Sequence, residues 1–193
     1  EPEPEGSHVP MHLARLARSK KTVSWRKLRT EIEAFGESAG LFKSIDVVRK
    51  GDLDSDPFQI SVQVDGADRN LIDVGYGVSQ VLPLIVDILS RADYHDRFLI
   101  QQPEVHLHPR AQAELGSFFA QKVKQKMKFM LETHSDHLTD RIRMEVRKGT
   151  ITASDVSILY FENSKKGARI HNIEIDDEGN ILNAPPSYRQ FFM

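Results

Sequence analysis

The pattern of hydrophobic and polar residues predicts several strands. The runs RFLIQ at Arg97–Gln101 and KFMLE at Lys128–Glu132 are short and apolar, a pattern typical of strands buried on both faces. Phe58–Val64 alternates apolar with polar residues, as a half-buried strand does, and Ser44–Arg49 is predicted to be another strand. These four segments are the predicted strands of the first three quarters of the chain.

Helices are predicted where apolar residues recur every three or four positions. Residues 11–35 are expected to form two helices. The apolar run VLPLIVDIL predicts a helix from about residue 79 to 91, and Pro83 within it implies either a kink or a later start. Two more helices are expected at residues 109–126 and at about 135–148.

The order of these elements predicts an α/β fold. The middle of the chain alternates helix and strand, which favours a parallel sheet covered by helices on both faces. Residues 156–162 and 169–175 flank the turn NSKKG and are predicted to form an antiparallel hairpin near the C-terminus. Residues 1–10, EPEPEGSHVP, have the composition of a linker or tail, so the folded part is expected at 11–193.

Composition narrows the classes of function. The chain has 193 residues and a net charge of −2, so any nucleic-acid site must be a local patch, such as the basic stretch within residues 15–29. The absence of cysteine excludes disulfides, thiolate zinc sites, iron–sulfur clusters and cysteine nucleophiles. The absence of cysteine also fits a reducing cytosol, so we expect a cytoplasmic protein. We expect no membrane partner, because no apolar run approaches the roughly 20 residues of a membrane span. The chain begins with Glu1 rather than Met, which suggests a fragment or a processed chain.

Candidate chemistry lies at the carboxyl ends of two predicted strands, where α/β sheets bind ligands. If these strands are neighbours, six polar or ionisable side chains converge on one rim: Gln101, Gln102, Glu104, Glu132, His134 and Asp136. A third element, GYGVSQ at residues 75–80, directly precedes the apolar helix. Backbone N–H groups at such a helix start can bind an anion.

Together, GYGVSQ, FLIQQPEVHLHP and LETHSDH resemble the C-terminal half of an ABC-type ATPase, more narrowly the SMC-like and OLD-like AAA family ATPases of bacteria. They are similar to the signature loop, to the Walker B strand running into the D-loop, and to the switch-histidine segment. The resemblance covers roughly residues 72–142. It implies a P-loop NTPase-like, mostly parallel sheet flanked by helices, with residues 11–193 forming the C-terminal half of an ATPase head.

The resemblance also implies a mechanism in which two heads sandwich ATP and Mg²⁺ between them. His134 matches the switch histidine, which contacts the γ-phosphate and helps to position the attacking water. The residues expected at ATP from the signature loop and the D-loop are Gly75, Gly77, Ser79, Gln80 and His106. Glycine permits close backbone approach, and a serine hydroxyl donates to phosphate.

This sequence departs from the family at the end of the Walker B-like strand. The family usually carries two acidic residues there, the first for Mg²⁺ and the second to polarise water, whereas this chain has Gln101 and Gln102. Neutral glutamine is a weak ligand for Mg²⁺ and no general base, so Gln101 is a poor metal residue. Three alternatives follow: Glu104 is the working carboxylate, hydrolysis is slow, or a substitution traps ATP. The catalytic candidates are thus Glu104, His134 and Gln102.

A phosphate-binding Walker A loop requires Gly-x-x-x-x-Gly-Lys-Ser/Thr, and this sequence does not contain it. The spacing at Gly36 and Gly40 lacks the Lys-Ser/Thr ending. We therefore expect that the chain alone holds ATP poorly, and that the Walker A half was removed or lies outside this sequence.

The leading hypothesis is an ATPase head that works by ATP-driven dimerisation, linked to DNA or to antiphage defence. Its expected partners are a second head as a homodimer, DNA, and a separate effector or nuclease protein. One alternative is a non-hydrolysing nucleotide-sensing or scaffold module, favoured by the two glutamines. Another is a metal-dependent hydrolase built from three groups with metal-ligand chemistry: His106 with His108, His134 with His137, and Asp136.

Overall fold

The computed structural model describes residues 7–18, 22–51, 56–91, 96–165 and 167–188. The helices are α1 (Val9–Arg18), α2 (Thr22–Ala39), α3 (Tyr76–Arg91), α4 (Pro109–Lys124) and α5 (Asp136–Arg147). The strands are β1 (Ser44–Arg49), β2 (Phe58–Val64), β3 (Ala67–Asn70), β4 (Arg97–Gln101), β5 (Lys128–Glu132), β6 (Ile158–Ser164) and β7 (Gly167–Ile173). Short 3₁₀ turns lie at Leu71–Asp73 and Ala153–Asp155.

The first half of the chain forms a three-stranded antiparallel sheet in the order β1-β2-β3. Alternating side chains turn inward, so Ile45, Ile60 and Val62 are buried and join one core with α1, α2 and α3. The strands at Ser44–Arg49 and Phe58–Val64 have the bounds predicted from their alternation. Residues 52–55, between these two strands, lie outside the described residues.

The parallel part of the fold is the pair β4–β5, whose strands have the predicted bounds. One face of the pair packs into the core through aromatic rings: those of Phe98 and Phe129 stack at 5.5 Å, and Phe119 of α4 lies 5.0 Å from Phe129. The opposite face is open, since Leu99 is 81% exposed and Met130 is 70% exposed. The prediction that helices cover both faces is therefore wrong for the described part of the chain.

Helix starts differ from the prediction more than strand bounds do. α1 begins at Val9, within the predicted linker, whose residues 1–6 lie outside the described residues. α3 begins at Tyr76, before the predicted start, so Pro83 lies inside the helix and a start later than Ser79 is ruled out. Because proline has no N–H, Pro83 leaves the carbonyl of Ser79 without its helical donor.

The C-terminal hairpin is confirmed. Its first strand, β6, lies two residues later in the sequence than predicted, and its second strand, β7, lies two residues earlier. Phe161 pairs with Ile170 across it. The sheets, flanked by helices, make a mixed α/β fold, as predicted, and parallel pairing among the described residues is confined to β4–β5. None of the helices in the described ranges combines the length and apolar character that crossing a bilayer requires.

Candidate functional site

The loop that leaves β4 makes two tight turns before α4 begins. We call residues 102–108 the β4–α4 loop. The Val105 N–H donates to the Gln102 carbonyl at 3.2 Å, and the Leu107 N–H donates to the Glu104 carbonyl at 3.0 Å. Gln102 and His106 adopt left-handed backbone conformations, with φ of 45° and 66°. This conformation costs free energy for residues other than glycine, so the surrounding contacts must hold the loop in place.

Glu104 is the buried anchor of this loop, with a residue exposure of 6%. Its Oε1 accepts a hydrogen bond from the backbone N–H of His134 at 2.8 Å. Its Oε2 is buried and has no hydrogen-bond partner among the described residues. An unpartnered buried carboxylate oxygen is costly, so this atom marks a position that favours a donor such as water.

Gln112 of α4 forms a second link between the β4–α4 loop and the segment that follows β5. Its side-chain N–H donates to the Leu107 carbonyl at 2.8 Å, and its Oε1 accepts from the Ser135 hydroxyl at 2.6 Å. Ser135 also caps α5 by accepting a hydrogen bond from the Leu138 N–H at 3.0 Å. The sequence analysis missed Gln112, because an amide one turn into a helix carries no motif signal.

Residues 133–137, which follow β5 and which we call the switch-like segment, present a histidine to solvent. Glu104 holds the backbone of His134, while the His134 ring is exposed and lies at the strand's carboxyl end. His137, on the first turn of α5, is exposed as well. The described residues contain no group of three or more His, Asp or Glu side chains placed to hold a metal ion, so the metal-hydrolase alternative has no structural support.

The glycine-rich element forms the first turn of α3 and touches the β4–α4 loop. A Cβ built on Gly77 would lie 2.6 Å from the carbonyl oxygen of His106, so only glycine allows this approach. The rings of Tyr76 and His106 meet edge to face, with centroids 4.5 Å apart. The Ser79 hydroxyl donates to the Tyr76 carbonyl at 2.9 Å, and must leave this bond to donate to a ligand.

The β4–α4 loop therefore stands between the other two elements and contacts both of them. Gly75 and Gln80 are exposed at the start of α3, and Gln102 is half-buried. Gln101 departs from the predicted convergence: it lies on the open face of β4, directly across from Glu132 of β5, and both are exposed. The predicted rim is thus split into a buried Glu104 and an exposed Gln101–Glu132 pair.

Large apolar side chains surround the start of α3. Ile72 is 82% exposed, Tyr76 is 61% exposed, and Val105 on the neighbouring loop is 43% exposed. Exposed apolar side chains grouped around polar chemistry are typical of an interaction surface.

A buried polar network braces α4 against α5 behind these loops. Glu145 accepts hydrogen bonds from Ser117 at 3.1 Å, Lys148 at 2.9 Å and Thr150 at 2.7 Å. Burial alone raises the pKa of this carboxyl, but the three donors outweigh burial and hold the pKa below its usual value. The network fixes the helix that begins at the switch-like segment.

Comparison with known proteins shows which family this chain matches. The model of the AAA ATPase domain matches residues 14–139, well over half of the chain. The chain belongs to the AAA ATPase domain family. The matched region contains the start of α3, the β4–α4 loop and the switch-like segment. No curated protein matches this AAA ATPase domain.

Solved structures show the fold of this AAA ATPase domain to be that of SMC ATPase heads. A structure from a study of ATP-driven dimerisation and DNA-stimulated activation of SMC ATPases aligns with a TM-score of 0.55 and 11% identity, over 79% of this chain and 89% of that one. The Smc head with an extended coiled coil from Pyrococcus furiosus, bound to the C-terminal domain of ScpA, gives 0.56 and 8%, over 78% and 35%. An SMC head bound to the C-terminal winged-helix domain of ScpA gives 0.55 and 10%, over 86% and 49%. This chain spans about half or less of the last two chains. The expected ATPase family is confirmed, and the expected SMC-like head is confirmed at the level of the fold.

Proposed function

We propose that this chain is the signature-loop half of an ATPase head, which binds and hydrolyses ATP together with a segment that carries the Walker A loop. The observation that carries this proposal is the contact of all three motif elements. Gly77 approaches His106, and Glu104 of the same loop bonds to His134. A γ-phosphate beside this surface would meet the positive start of α3 and an exposed imidazole.

The start of α3 would take the phosphate of an ATP held by another head. Gly75 and Gln80 are exposed there, Gly77 keeps the helix close to the neighbouring loop, and Ser79 can turn its hydroxyl toward phosphate. His106 lies against Tyr76 at the edge of this surface. The exposed apolar side chains of Ile72, Tyr76 and Val105 support head-to-head dimerisation, in which they would be covered.

Water activation would fall to Glu104 and His134, with Gln102 as a neutral neighbour that orients water by hydrogen bonding. Glu104 uses Oε1 to hold the switch-like segment, and its Oε2 is left to accept from an attacking water. A carboxylate can accept the proton of that water, whereas the amides of Gln101 and Gln102 cannot. The exposed His134 ring would steady the γ-phosphate.

The exposed pair of Gln101 and Glu132 suits a Mg²⁺ ion that takes most of its ligands from phosphate and water. Mg²⁺ prefers oxygen ligands and is usually bound through one or two carboxylates plus substrate phosphates. The amide oxygen of Gln101 and the carboxylate of Glu132 sit at the same register position of β4 and β5. When bound, the ion would neutralise charge on the phosphates.

ATP turnover tests the proposal, measured for this chain alone and for the chain together with the region encoded directly upstream. We expect binding and turnover only with that region, and loss of turnover in His134→Ala. The alternative of a non-hydrolysing nucleotide sensor rests on the neutral Gln101 and Gln102. Binding and dimerisation with no turnover would favour that alternative.

A link to DNA is proposed by comparison with the SMC study named above, which concerns DNA-stimulated activation. Addition of duplex DNA to the same turnover assay tests it. Stimulation supports a DNA-linked head, and an unchanged rate contradicts this part of the proposal.

A further inference from the structure

The start of α4 carries a positive side chain that its own helix disfavours. Arg110 is the second residue of α4 and follows Pro109 directly after the β4–α4 loop. The first turn of a helix carries a partial positive charge from its unpaired N–H groups, so an acidic residue is favoured there and an arginine is not. Arg110 is also exposed, so burial does not explain its place. The explanation must lie in what its guanidinium contacts.

The guanidinium of Arg110 contacts the C-terminal end of α2, 72 residues earlier in the sequence. Its Nε donates to the carbonyl of Ser38 at 2.9 Å, and its Nη2 donates to the carbonyl of Glu37 at 3.4 Å. The last carbonyls of a helix lack intrahelical donors and carry partial negative charge, so a cation is favoured there. The end of α2 therefore offsets the repulsion from the start of α4, but only while the two helix ends stay together.

Gly40 shapes the end of α2 for this contact. It follows the last helical residue and has a left-handed φ of 69°. The Leu41 N–H donates to the Gly36 carbonyl at 2.8 Å. The Gly40 N–H donates to the Glu37 carbonyl at 3.0 Å, which completes a common closing motif of helices. A Cβ built on Gly40 would lie 3.2 Å from Nη1 of Arg110, so glycine also leaves room for the guanidinium.

Further along, α4 packs against α2 through an aromatic contact and a buried ion pair. The rings of Phe118 and Phe35 meet edge to face, with centroids 5.7 Å apart. Lys122, which is 5% exposed, donates to the carboxylate of Glu31 at 2.6 Å. These contacts lie about 12 Å or more along α4 from Arg110, at about 1.5 Å of rise per residue. Arg110 is therefore the contact that fixes the end of α4 next to the loop.

We propose that Arg110 is a positioning residue, which holds the β4–α4 loop in the orientation that ATP turnover needs by tying the start of α4 to the end of α2. This inference rests on the proposed function. The loop contains two left-handed residues, Gln102 and His106, so its conformation costs free energy and depends on contacts around it. Glu104 ties the loop to the switch-like segment, and Arg110 fixes the helix into which the loop runs. Because Arg110 is exposed, its loss should change turnover more than stability.

Steady-state kinetics test the proposal on the chain together with the region encoded directly upstream. Arg110→Ala should lower kcat by about tenfold or more, because small displacements of reacting groups have effects of that size, and should change the KM for ATP by less than about twofold. Arg110→Lys keeps the charge and one donor, so its kcat should exceed that of Arg110→Ala by about threefold or more. Lys124→Ala removes an exposed cation from the other end of α4 and should keep the native kcat.

Phe118→Leu separates positioning from packing. It weakens the contact with Phe35, so it should lower the melting temperature and keep the native kcat below that temperature. Arg110→Ala should instead lower kcat and leave the melting temperature almost unchanged. An unchanged kcat in Arg110→Ala would overturn the proposal, and so would an equal loss of kcat in Phe118→Leu. A raised KM with the native kcat would also overturn it, because Arg110 would then contact ATP itself.

Hydrogen exchange follows the loop independently of turnover. The Leu107 N–H, which donates to the Glu104 carbonyl, should exchange about fivefold faster or more in Arg110→Ala without ATP, and at the native rate in Lys124→Ala. Faster exchange in a preparation whose native form shows no turnover keeps the tie between Arg110 and the loop and defeats the proposed function. Native exchange and native kcat in Arg110→Ala overturn this inference and leave the proposed function intact.

Discussion

The carboxylate of Glu104 accepts a hydrogen bond from the backbone N–H of His134 at 2.8 Å, across 30 residues of sequence. This bond ties the loop after β4 to the segment after β5. Because it uses the backbone of His134, it leaves the imidazole ring free to face solvent. One buried side chain thus fixes the position of a histidine without restricting its chemistry.

Substitution of Glu104 separates its proposed role in activating water from its hydrogen bond to the backbone of His134. Glu104→Gln keeps an oxygen that can accept from His134 but loses the charge, so ATP turnover with the Walker A segment should fall by about 10²–10⁴-fold. Stability should change little in this variant. Glu104→Ala leaves the His134 N–H without its acceptor and should also lower the free energy of unfolding by about 1–3 kcal/mol. Steady-state turnover and urea denaturation measure the two effects. Full activity in Glu104→Gln, with loss in Glu104→Ala, would mean that Glu104 only positions His134.

Two glycines at the start of α3 should respond differently to alanine. A Cβ at Gly77 would meet the His106 carbonyl oxygen at 2.6 Å, whereas a Cβ at Gly75 meets nothing within 4 Å. Gly77→Ala should therefore destabilise the chain by about 1–3 kcal/mol through overpacking, which exceeds the gain of up to about 1 kcal/mol in helix propensity. Gly75→Ala is the matched control and should fold normally. Equal melting temperatures for the two variants would show that α3 does not depend on this approach.

Gln112 should matter although no motif includes it. Gln112→Ala removes the bridge between the Leu107 carbonyl and the Ser135 hydroxyl and should cost about 1–3 kcal/mol of stability. Gln121→Ala, at an exposed position of the same helix, controls for the change in helix propensity. Hydrogen exchange at the start of α5 measures the local effect. Exchange that rises equally in both variants would argue against the bridge.

Acid should weaken the brace between α4 and α5. Hydrogen bonds hold the folded-state pKa of Glu145 below its unfolded value, so its contribution is present above the unfolded pKa and is lost as pH falls through the folded one. The native chain should lose melting temperature as pH falls below about 5, and Glu145→Gln should lose less over the same interval. Glu174→Gln, which removes an exposed carboxylate, should follow the native curve. Parallel curves for the native chain and Glu145→Gln would contradict this assignment.

Local patterns in the sequence predicted the strands well. The bounds of β2 followed from the alternation along Phe58–Val64, and the bounds of β4 and β5 followed from their short apolar runs. Such bounds are predictable because the period of a strand is visible in a few residues. The motif residues were also predicted to converge, and Glu104 and His134 do.

Features that depend on the rest of the fold were not predictable in the same way. An apolar run such as RFLIQ indicates a strand that prefers cover on both faces, but which faces are covered depends on what packs there, and Leu99 is open in this chain. The start of α3 was placed too late because the glycine-rich residues 75–80 were taken to precede the helix, whereas Gly77 lies in its first turn, packed against the β4–α4 loop. Gln112 acts through contacts with residues far along the chain, which no local pattern records.

The central claim is that this chain supplies the switch histidine of an ATPase head. The most direct measurement is ATP turnover by the chain together with the region encoded directly upstream, in the native form, His134→Ala and His137→Ala. His134→Ala keeps the backbone bond to Glu104, so folding should be preserved while turnover is lost; His137→Ala, an exposed histidine three residues further on, should retain turnover. Turnover that survives in His134→Ala, or that falls equally in both variants, would contradict the account.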